Sequence, residues 1–370
     1  MRIVYLAASA IPSAENANSI QVMSMCEAMA QSGHEVQLIA PARPGRLRGI
    51  DPFDYYGVAR IFRIEWLPWL PFKGRGYLYA WMAARRAAQL APDLVYGRLI
   101  AGCYLTARRG LATVLEVHQP VRTSEPFLRW MMSRIADAPG LRRVVAVSRS
   151  LAEQLARKHG IPAAKMIVAP NAAREPRLPA AEPRFEAGRM HAGYIGGLLP
   201  GKGIELIIQL APTTPWVTYH VVGGTFDEVQ GWQKEVREPG RVVFHGRVAP
   251  AETDALRQSF DVLLAPYHRD SSDPMEGVHP PWLSPLKLME YMAAGKPILC
   301  SDLPAYREIL ENERTALLCD PDDPKSWRLA LTRLRDDPEL RNGLGEAARA
   351  VFLRGGTWKH RVQQVLEGLK

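Results

Sequence analysis

The sequence has no long apolar run and few cysteines. No stretch approaches the roughly 18 consecutive apolar residues that a membrane-spanning helix needs, and the amino terminus lacks the features of a secretory signal. We therefore expect a cytoplasmic protein without an integral span. The cysteines show no C-x-x-C or Cys/His spacing, which argues against a disulfide framework and a zinc site. Their apolar surroundings predict reduced, buried thiols at Cys26, Cys103, Cys300 and Cys319.

The composition is that of a well-packed protein with more than one domain. Of its 370 residues, 47% are hydrophobic and 23% are charged, and this length favours two or three domains. The net charge of +9 is unevenly spread: residues 1–171 carry 22 basic and 11 acidic side chains, whereas residues 172–370 carry 25 and 27. The first half is therefore strongly basic and the second nearly neutral.

Short apolar and β-branched runs alternate with helical patterns in both halves. This alternation predicts α/β domains with parallel sheets that helices cover on both faces. Ligands of such sheets bind beyond the carboxyl ends of the strands, so a cleft between two such domains is the expected site. The predicted strands are Arg2–Ala7, Glu35–Ala40, Leu94–Tyr96, Thr113–Val117, Arg143–Val147 and Met166–Ala169, then His191–Ile195, Thr218–Val222, Val242–His245, Asp261–Ala265, Pro297–Ser301 and Ala316–Cys319.

The pattern also predicts where the domains meet. Residues 172–188 are rich in proline and show neither helical nor strand periodicity, which indicates a linker. We expect one domain in residues 1–171 and another in residues 189–352. Residues 353–370 contain a helix with apolar residues at helical spacing, and we expect it to pack back on the first domain.

Three strand ends of the first domain carry polar residues. After the first strand, Asn18 or Ser19 is a natural N-cap, and the free N–H groups of that helix suit a phosphate or a sugar hydroxyl. His118 follows the strand that contains Glu116, and Arg98 follows the preceding strand. A structural role is open for each side chain, but their position favours the site.

The second domain opens with a glycine-rich loop that contains Gly196, Gly197 and Lys202. Backbone N–H groups and one ammonium in such a loop suit a diphosphate, although the sequence is neither a Walker A motif nor a G-x-G-x-x-G motif. Later, Ser284 and Pro285 predict a helix start with further free N–H groups. Glu290 lies on that helix among apolar residues and needs a hydrogen-bonding partner, such as a ribose diol.

These motifs resemble, in order, those of the retaining glycosyltransferases of family 4. The resemblance covers essentially the whole chain and implies the GT-B fold, in which two Rossmann-like domains with parallel sheets face a central cleft. It rests on Ser19–Val22, Gly33–Val36, Glu116–His118, Val147–Ser148, Ala169–Asn171, Gly201–Gly203, Ser284–Pro297 and Asp337–Arg341.

The resemblance also implies roles. Lys202 is expected to bind the diphosphate of a nucleotide sugar, Glu290 its ribose, and His118 to lie beside the transferred sugar. The resemblance places the amides of Ser284, Pro285 and Leu286 against phosphate or sugar. Catalysis then consists of electrostatic stabilisation of the departing diphosphate, with neither metal nor cofactor.

Two positions depart from the family pattern. Gly197 stands where the family usually has an arginine, and Trp282 stands where it has an acid. We predict that Arg269 replaces the cation and that Glu276 or His279 contacts the sugar. The alternative is that these three residues belong to a solvated loop.

The segment Trp66–Met82 interleaves aromatic and basic residues. Aromatic rings favour the headgroup region and cations favour anionic lipid, so the segment predicts a contact with the inner membrane surface. The alternative is that Trp66, Trp69 and Trp81 pack within the domain. No nucleic-acid-binding motif accompanies the basic half, so nucleic acid is not expected as a partner.

Together these features predict an enzyme that transfers a hexose from a UDP- or GDP-sugar to a lipid-linked or oligosaccharide acceptor. We expect it to act in the synthesis of cell-surface polysaccharide, as a peripheral protein of the inner membrane. Two alternatives are a nucleotide-sugar epimerase on the same fold and a catalytically degenerate sugar-binding scaffold, which Gly197 and Trp282 make conceivable.

Overall fold

A computed structural model describes residues 1–13, 17–176, 185, 188–269 and 284–369. Its chain divides into two compact units. The first unit contains the described residues of Met1–Asn171 and Trp358–Lys370 together with Ser284. The second unit contains the remaining described residues.

The first unit is built on a parallel sheet of seven strands in the order β3-β2-β1-β4-β5-β6-β7. The central strands β4 and β5 are buried along their whole length, as strands covered by helices on both faces must be. The strands are β1 Arg2–Leu6, β2 Glu35–Pro41, β3 Arg63–Leu67, β4 Leu94–Gly97, β5 Thr113–Val117, β6 Leu141–Ala146 and β7 Met166–Val168.

Six helices connect these strands, and the last helix of the chain returns to the same unit. That helix, α14, packs against α1 with Trp358, Val362 and Val365 buried. The helices are α1 Ala17–Gln31, α2 Pro52–Tyr56, α3 Arg75–Gln89, α4 Ile100–Arg108, α5 Pro126–Arg134, α6 Arg149–His159 and α14 Trp358–Leu366.

The second unit repeats the architecture with six parallel strands in the order β10-β9-β8-β11-β12-β13. Its core joins these strands to α7 and α12, with Trp327 fully buried. The strands are β8 Met190–Ile195, β9 Val217–Val222, β10 Val242–Gly246, β11 Val262–Ala265, β12 Ile298–Ser301 and β13 Leu317–Cys319. The helices are α7 Ile204–Leu210, α8 Phe226–Gln233, α9 Thr253–Ser259, α10 Leu286–Ala294, α11 Pro304–Arg307, α12 Pro324–Asp336 and α13 Pro338–Gly355.

All twelve predicted strands are confirmed, with ends that shift by a residue or two. One strand, β3, was not predicted. It is the edge strand of the first sheet, and its residues are exposed or only partly buried, so its sequence lacks the apolar run of an interior strand. The four cysteines are buried thiols, as expected.

Both predicted helices are present, but their predicted capping residues are wrong. Helix α1 begins at Ala17, so Asn18 and Ser19 lie inside its first turn instead of capping it. Helix α10 begins at Leu286 with Pro285 at the N-cap, and the Ser284 hydroxyl does not cap it but accepts a hydrogen bond from the Asn171 N–H at 3.0 Å. Within the described ranges, none of the helices combines the length and the apolar character needed to cross a bilayer.

Candidate functional site

In both sheets, the strand order reverses beside the first strand of the unit, and this reversal is the switch point of the sheet. In the first unit β1 lies between β2 and β4, and in the second β8 lies between β9 and β11. The connections that follow the two adjacent strands at the switch point run to opposite sides of the sheet. This separation leaves a crevice at the carboxyl ends of these strands. The predicted site residues of each unit follow these strands, so each unit is described in turn.

In the first unit, Glu116 is the centre of a buried polar network at the end of β5. Its carboxylate receives two hydrogen bonds from Arg361, one from Nη2 to Oε1 at 3.0 Å and one from Nη1 to Oε2 at 3.2 Å. Gln21 Nε2 donates to Oε1 at 2.9 Å, and the Tyr96 hydroxyl and His118 Nε2 contact the same carboxylate. Since Glu116 is fully buried and engaged on both oxygens, it suits a positioning role better than direct contact with a sugar.

The charges of this network fix the protonation state of His118. Burial raises the pKa of Glu116, but the charges of Arg361, His118 and Arg98, together with the His118 hydrogen bond, outweigh burial and hold that pKa below its usual range. Burial and the charge of Arg98 lower the pKa of His118 to about 4. His118 is therefore neutral at pH 7. An ionised carboxylate only accepts hydrogen bonds, so Nε2 carries the proton and Nδ1 is left as an acceptor.

Arg98 connects this network to a large cavity. Its Nη1 donates to Gln21 Oε1 at 3.0 Å, and burial lowers its pKa. The same side chain lines a cavity of about 750 Å³. The other lining groups that matter here are three aromatic and two basic side chains: Trp69, Phe72, Tyr77, Lys73 and Arg75.

The two residues predicted at the start of α1 have different surroundings. The Ser19 hydroxyl accepts a hydrogen bond from the Tyr56 hydroxyl at 2.6 Å and is fully buried. The Asn18 side-chain oxygen is buried and has no hydrogen-bond partner among the residues that the structure describes. Of the two, Asn18 is therefore better placed to accept a hydrogen bond from a ligand.

In the second unit, glycines bring neighbouring strand ends together. A Cβ at Gly203, whose φ is +88°, would lie 1.8 Å from the Pro266 carbonyl oxygen, and one at Gly223 would lie 1.9 Å from the Gly196 oxygen. Side chains at these positions would separate the loops. At Gly197, by contrast, a Cβ would meet nothing within 4 Å.

Two lysines lie beside this loop. Lys202 Nζ lies 5.2 Å from the centre of the Tyr267 ring, and Lys287 Nζ lies 4.8 Å from the same ring. Lys287 Nζ also lies 3.7 Å from the centre of the Tyr194 ring. The loop that follows β8 is thus flanked by two ammonium groups.

Helix α10 contributes Glu290. One of its carboxylate oxygens lies 2.7 Å from Arg257 Nη2. The polar partner that a carboxylate among apolar residues needs is therefore an arginine of the same unit. The side chain stays 23% exposed, which leaves room for a ligand. Pro285 supplies no side-chain cap to the first turn of α10.

The predicted substitute for the missing arginine lies in a surface ion pair. Arg269 Nε lies 2.8 Å from an Asp322 oxygen, and Nη2 lies 3.1 Å from an Asp320 oxygen. Glu276, His279 and Trp282 lie outside the described residues.

Sequence reasoning missed two residues of these networks. Arg361 was missed because Glu116 lies 245 positions before it, although it stands on the apolar stripe of α14 where a cation is out of place. Lys287 was missed because a lysine on a short helix gives no sign of burial. Across the part of the chain that the structure describes, no three His, Cys, Asp or Glu side chains are grouped to hold a metal ion.

The two Rossmann-like units with parallel sheets define a GT-B protein. Residues 19–174 match the family Glycosyltransferase Family 4, and residues 181–351 match Glycosyl transferases group 1. The chain belongs to this glycosyltransferase family.

Solved structures share the fold over the whole chain. The crystal structure of HepE from Anabaena in complex with UDP aligns with a TM-score of 0.71 at 18% identity and covers 100% of this chain and 99% of that chain. The lipopolysaccharide glycosyltransferase WaaG aligns with a TM-score of 0.67 at 14% identity and covers 99% of this chain and 100% of that chain.

Curated relatives match more locally. Glycogen synthase of Mycobacterium tuberculosis is 25% identical over 225 residues, which are 58% of this chain and 51% of that protein. Phosphatidyl-myo-inositol mannosyltransferase of Mycolicibacterium smegmatis is 29% identical over 153 residues, which are 39% of this chain and 35% of that protein. The matched regions thus span about half the length of the first relative and about a third of the second.

Proposed function

We propose that the protein is a retaining glycosyltransferase that moves a hexose from a UDP- or GDP-sugar to a lipid-linked glycan in cell-surface polysaccharide synthesis. The observation that carries this proposal is the loop after β8, where closely approaching glycine backbones and the Lys202 ammonium lie at the switch point of the sheet. Such a loop suits the diphosphate of a nucleotide sugar. Family membership and the fold shared with HepE in complex with UDP support the same reading.

On the donor side, each group has a separate task. The Lys202 ammonium neutralises charge on the diphosphate, both in the bound donor and as it departs. The N–H of Gly197 and those of Ser284 and Leu286 at the start of α10 donate to phosphate or sugar oxygens. The Gly196 N–H already donates to the Val222 carbonyl oxygen at 2.9 Å, and Pro285 has no N–H, so these two residues contribute backbone shape and not a donor. Glu290, fixed by Arg257, accepts from the ribose hydroxyls. The proposal assigns no metal and no cofactor to the reaction.

On the sugar side, His118 offers a neutral acceptor. Because Nε2–H is directed to Glu116, Nδ1 can accept a hydrogen bond from a hydroxyl of the transferred sugar. As the bond to the diphosphate breaks, the sugar becomes oxocarbenium-like, and the acceptor attacks from the face that the leaving group vacates. The acceptor's proton passes to the departing diphosphate, and the anomeric configuration is retained.

The cavity of the first unit fits the acceptor. Its aromatic rings suit sugar faces or an apolar chain, and Lys73, Arg75 and Arg98 suit a phosphate or diphosphate link. An acceptor that carries a lipid, an anionic link and a sugar uses both kinds of lining group. Asn18 supplies a further hydrogen-bond acceptor near the start of α1.

Membrane contact follows from exposed aromatic residues beside this cavity. The Phe127 ring stacks on the Trp130 ring with 5.6 Å between ring centres. It also meets the Tyr77 ring edge to face with 5.2 Å between ring centres, so α5 and α3 share one exposed aromatic patch. We define the aromatic patch as Phe72, Tyr77, Trp81, Phe127 and Trp130, each at least 39% exposed. Phe72 and Tyr77 also line the cavity, so a lipid seated on the patch reaches it directly.

Incubation with a panel of UDP-, GDP- and ADP-sugars, with and without a bacterial lipid extract as acceptor, tests the function. We expect one donor to release its nucleoside diphosphate only when acceptor is present, with transfer of the label to the lipid fraction. Nuclear magnetic resonance of the product is expected to show the donor's anomeric configuration.

Two other outcomes would overturn the proposal. Isomerised donor without transfer would indicate a nucleotide-sugar epimerase, and binding of nucleotide sugars without any turnover would indicate a sugar-binding scaffold. The Lys202→Met variant is the matched control, because it is expected to abolish release while leaving the fold of the first unit unchanged.

A further inference from the structure

We propose that Lys287 is a second cation for the donor diphosphate and acts with Lys202, in place of an arginine at Gly197. This inference rests on the proposed function, because it assigns one more residue to the same donor site. Four properties of Lys287 carry it: burial, the absence of a partner, orientation and surroundings.

Lys287 is buried without a partner. It is the second residue of α10, and only 8% of it is exposed. Its Nζ has no hydrogen-bond partner and no salt bridge within the described ranges. A buried ammonium without a partner is costly, so a side chain that keeps this position calls for an anion that the bare chain does not supply.

The ammonium points at the donor loop. A Cβ at Gly196 would lie 2.8 Å from Lys287 Nζ, so this atom lies directly against the backbone that follows β8. The rings of Tyr194 and Tyr267 hold it there through cation–π contacts, and Tyr267 also faces Lys202. Gly196 therefore leaves the space that the ammonium occupies.

The surroundings favour a doubly or triply charged anion. Burial, followed by the charge of Lys202, lowers the pKa of Lys287 well below its usual range, although Glu290 and Cys300 act in the opposite direction. Two neighbouring ammonium groups repel each other until an anion lies between them. A diphosphate carries enough charge to neutralise both, and its binding is expected to raise the pKa of Lys287.

The other candidate cations are less suitable. The Arg269 guanidinium is 52% exposed and already paired with Asp320 and Asp322. Arg257 is paired with Glu290. Gly197 itself has open space beside it and no side chain.

Isothermal titration of the full chain with UDP, GDP and ADP, and with the corresponding nucleosides, tests the inference. For the nucleotide that binds the wild type, we expect Lys287→Met to weaken diphosphate binding by roughly 10- to 100-fold, because a charge-assisted contact is lost. Nucleoside binding is expected to stay unchanged, and Lys287→Arg to recover part of the affinity. Lys296→Met, which removes a half-buried lysine just beyond the other end of α10, is the matched control and is expected to bind as the wild type does.

The outcomes separate this inference from the proposed function. If the wild type binds none of the nucleoside diphosphates, the proposed function fails. If the wild type binds one of them and Lys287→Met binds it equally well, only the role of Lys287 fails. Equal losses of nucleoside and diphosphate affinity, with a lowered melting temperature, would show a structural lysine and also overturn the inference. In the wild type, diphosphate affinity is expected to fall as the pH rises from 7 to 10, and more weakly in Lys287→Arg.

Discussion

At the scale of single residues, the most constrained group is the Glu116 carboxylate. Besides Arg361, the side chains of Gln21, Tyr96 and His118 contact this carboxylate directly. Arg98 is linked to it through Gln21. A carboxylate with this many partners holds each of them in one orientation. It therefore positions His118 and Arg98, the two residues of the network that are proposed to meet the substrates.

Removing Arg361 is expected to destabilise the first unit strongly. In Arg361→Met the Glu116 charge stays buried without its main counter-ion, which typically costs about 3–5 kcal/mol. Urea unfolding followed by tryptophan fluorescence measures the change in the free energy of unfolding. Glu116→Gln combined with Arg361→Met is expected to recover part of the loss, because no unpaired charge is left.

An exposed arginine provides the control for that experiment. Arg60 pairs with Asp51 and Asp54 on the surface of the same unit, and its side chain is 56% exposed. Arg60→Ala is expected to unfold at nearly the wild-type urea concentration. An Arg361→Met protein as stable as Arg60→Ala would show that the buried pair contributes little.

At the scale of secondary-structure elements, a row of histidines links three strands of the second sheet. His220 on β9 bonds His191 on β8 and His245 on β10, each at 3.0 Å, and Phe185 stacks on its ring at 4.0 Å. Burial, followed by the charges of His245 and His191, lowers the pKa of His220 to about 3. Its neutral form is therefore the one that the folded unit accommodates.

This row predicts acid sensitivity of the second unit. The pKa of His220 is lower in the folded chain than the ordinary value of about 6.5, so the unfolded chain binds more protons between pH 6.5 and pH 3. The stabilisation is complete above pH 6.5, and the free energy of unfolding falls as the pH is lowered from there toward 3. Denaturant unfolding at pH 7, 5.5 and 4 measures this slope.

The His220→Gln variant tests the source of the slope. It is expected to be less stable than the wild type at pH 7 but to lose less stability on acidification. His360→Gln, at an exposed position of α14, is expected to follow the wild-type slope. Parallel slopes for wild type and His220→Gln would assign the acid sensitivity to other groups.

Helices α3 and α5 carry the proposed membrane contact, of which the sequence predicted only the part within Trp66–Met82. The aromatic patch is accompanied by the exposed cations Lys73, Arg75, Arg85 and Arg129. Each nearby cation contributes about 1 kcal/mol on an anionic surface, so binding to phosphatidylglycerol vesicles is expected to exceed binding to phosphatidylcholine and to weaken with salt. Co-sedimentation measures both effects.

Paired substitutions in the two units distinguish a specific membrane-binding surface from non-specific binding of exposed apolar residues. Phe127→Ser with Trp130→Ser is expected to lower vesicle binding about tenfold or more. Phe226→Ser with Leu199→Ser removes apolar side chains from the second unit at residues that are 74% and 59% exposed. This pair is expected to leave vesicle binding unchanged. Equal losses from both pairs would contradict the proposed contact.

At the scale of the whole molecule, the sequence predicted more of the fold than of the site. Interior strands such as Leu94–Tyr96 and Val262–Ala265 are recognisable because burial on both faces makes them continuous apolar runs. The edge strand β3 has no such signature. Contacts such as that of Arg361 with Glu116 depend on how the end of the chain returns to the first unit, which no local pattern reveals.

The same limit explains the cation at the donor loop. The family pattern showed that an arginine is missing at Gly197, and charge alone led to Arg269 as its substitute. Only burial and the absence of a partner distinguish Lys287 from the other basic side chains. The uneven charge of the chain has a similar meaning: the excess of basic residues lies in the unit that carries the cavity and the aromatic patch.

The central claim is acceptor-dependent transfer from a nucleotide sugar. The most direct measurement is the rate of nucleoside diphosphate release from the preferred donor as a function of lipid acceptor, for the wild type, His118→Ala and Lys202→Met. We predict a wild-type rate that rises with acceptor and saturates, and rates at least about 100-fold lower in both variants. A wild-type release rate that does not depend on acceptor concentration would contradict the account. Release rates in both variants equal to that of the wild type would contradict it as well.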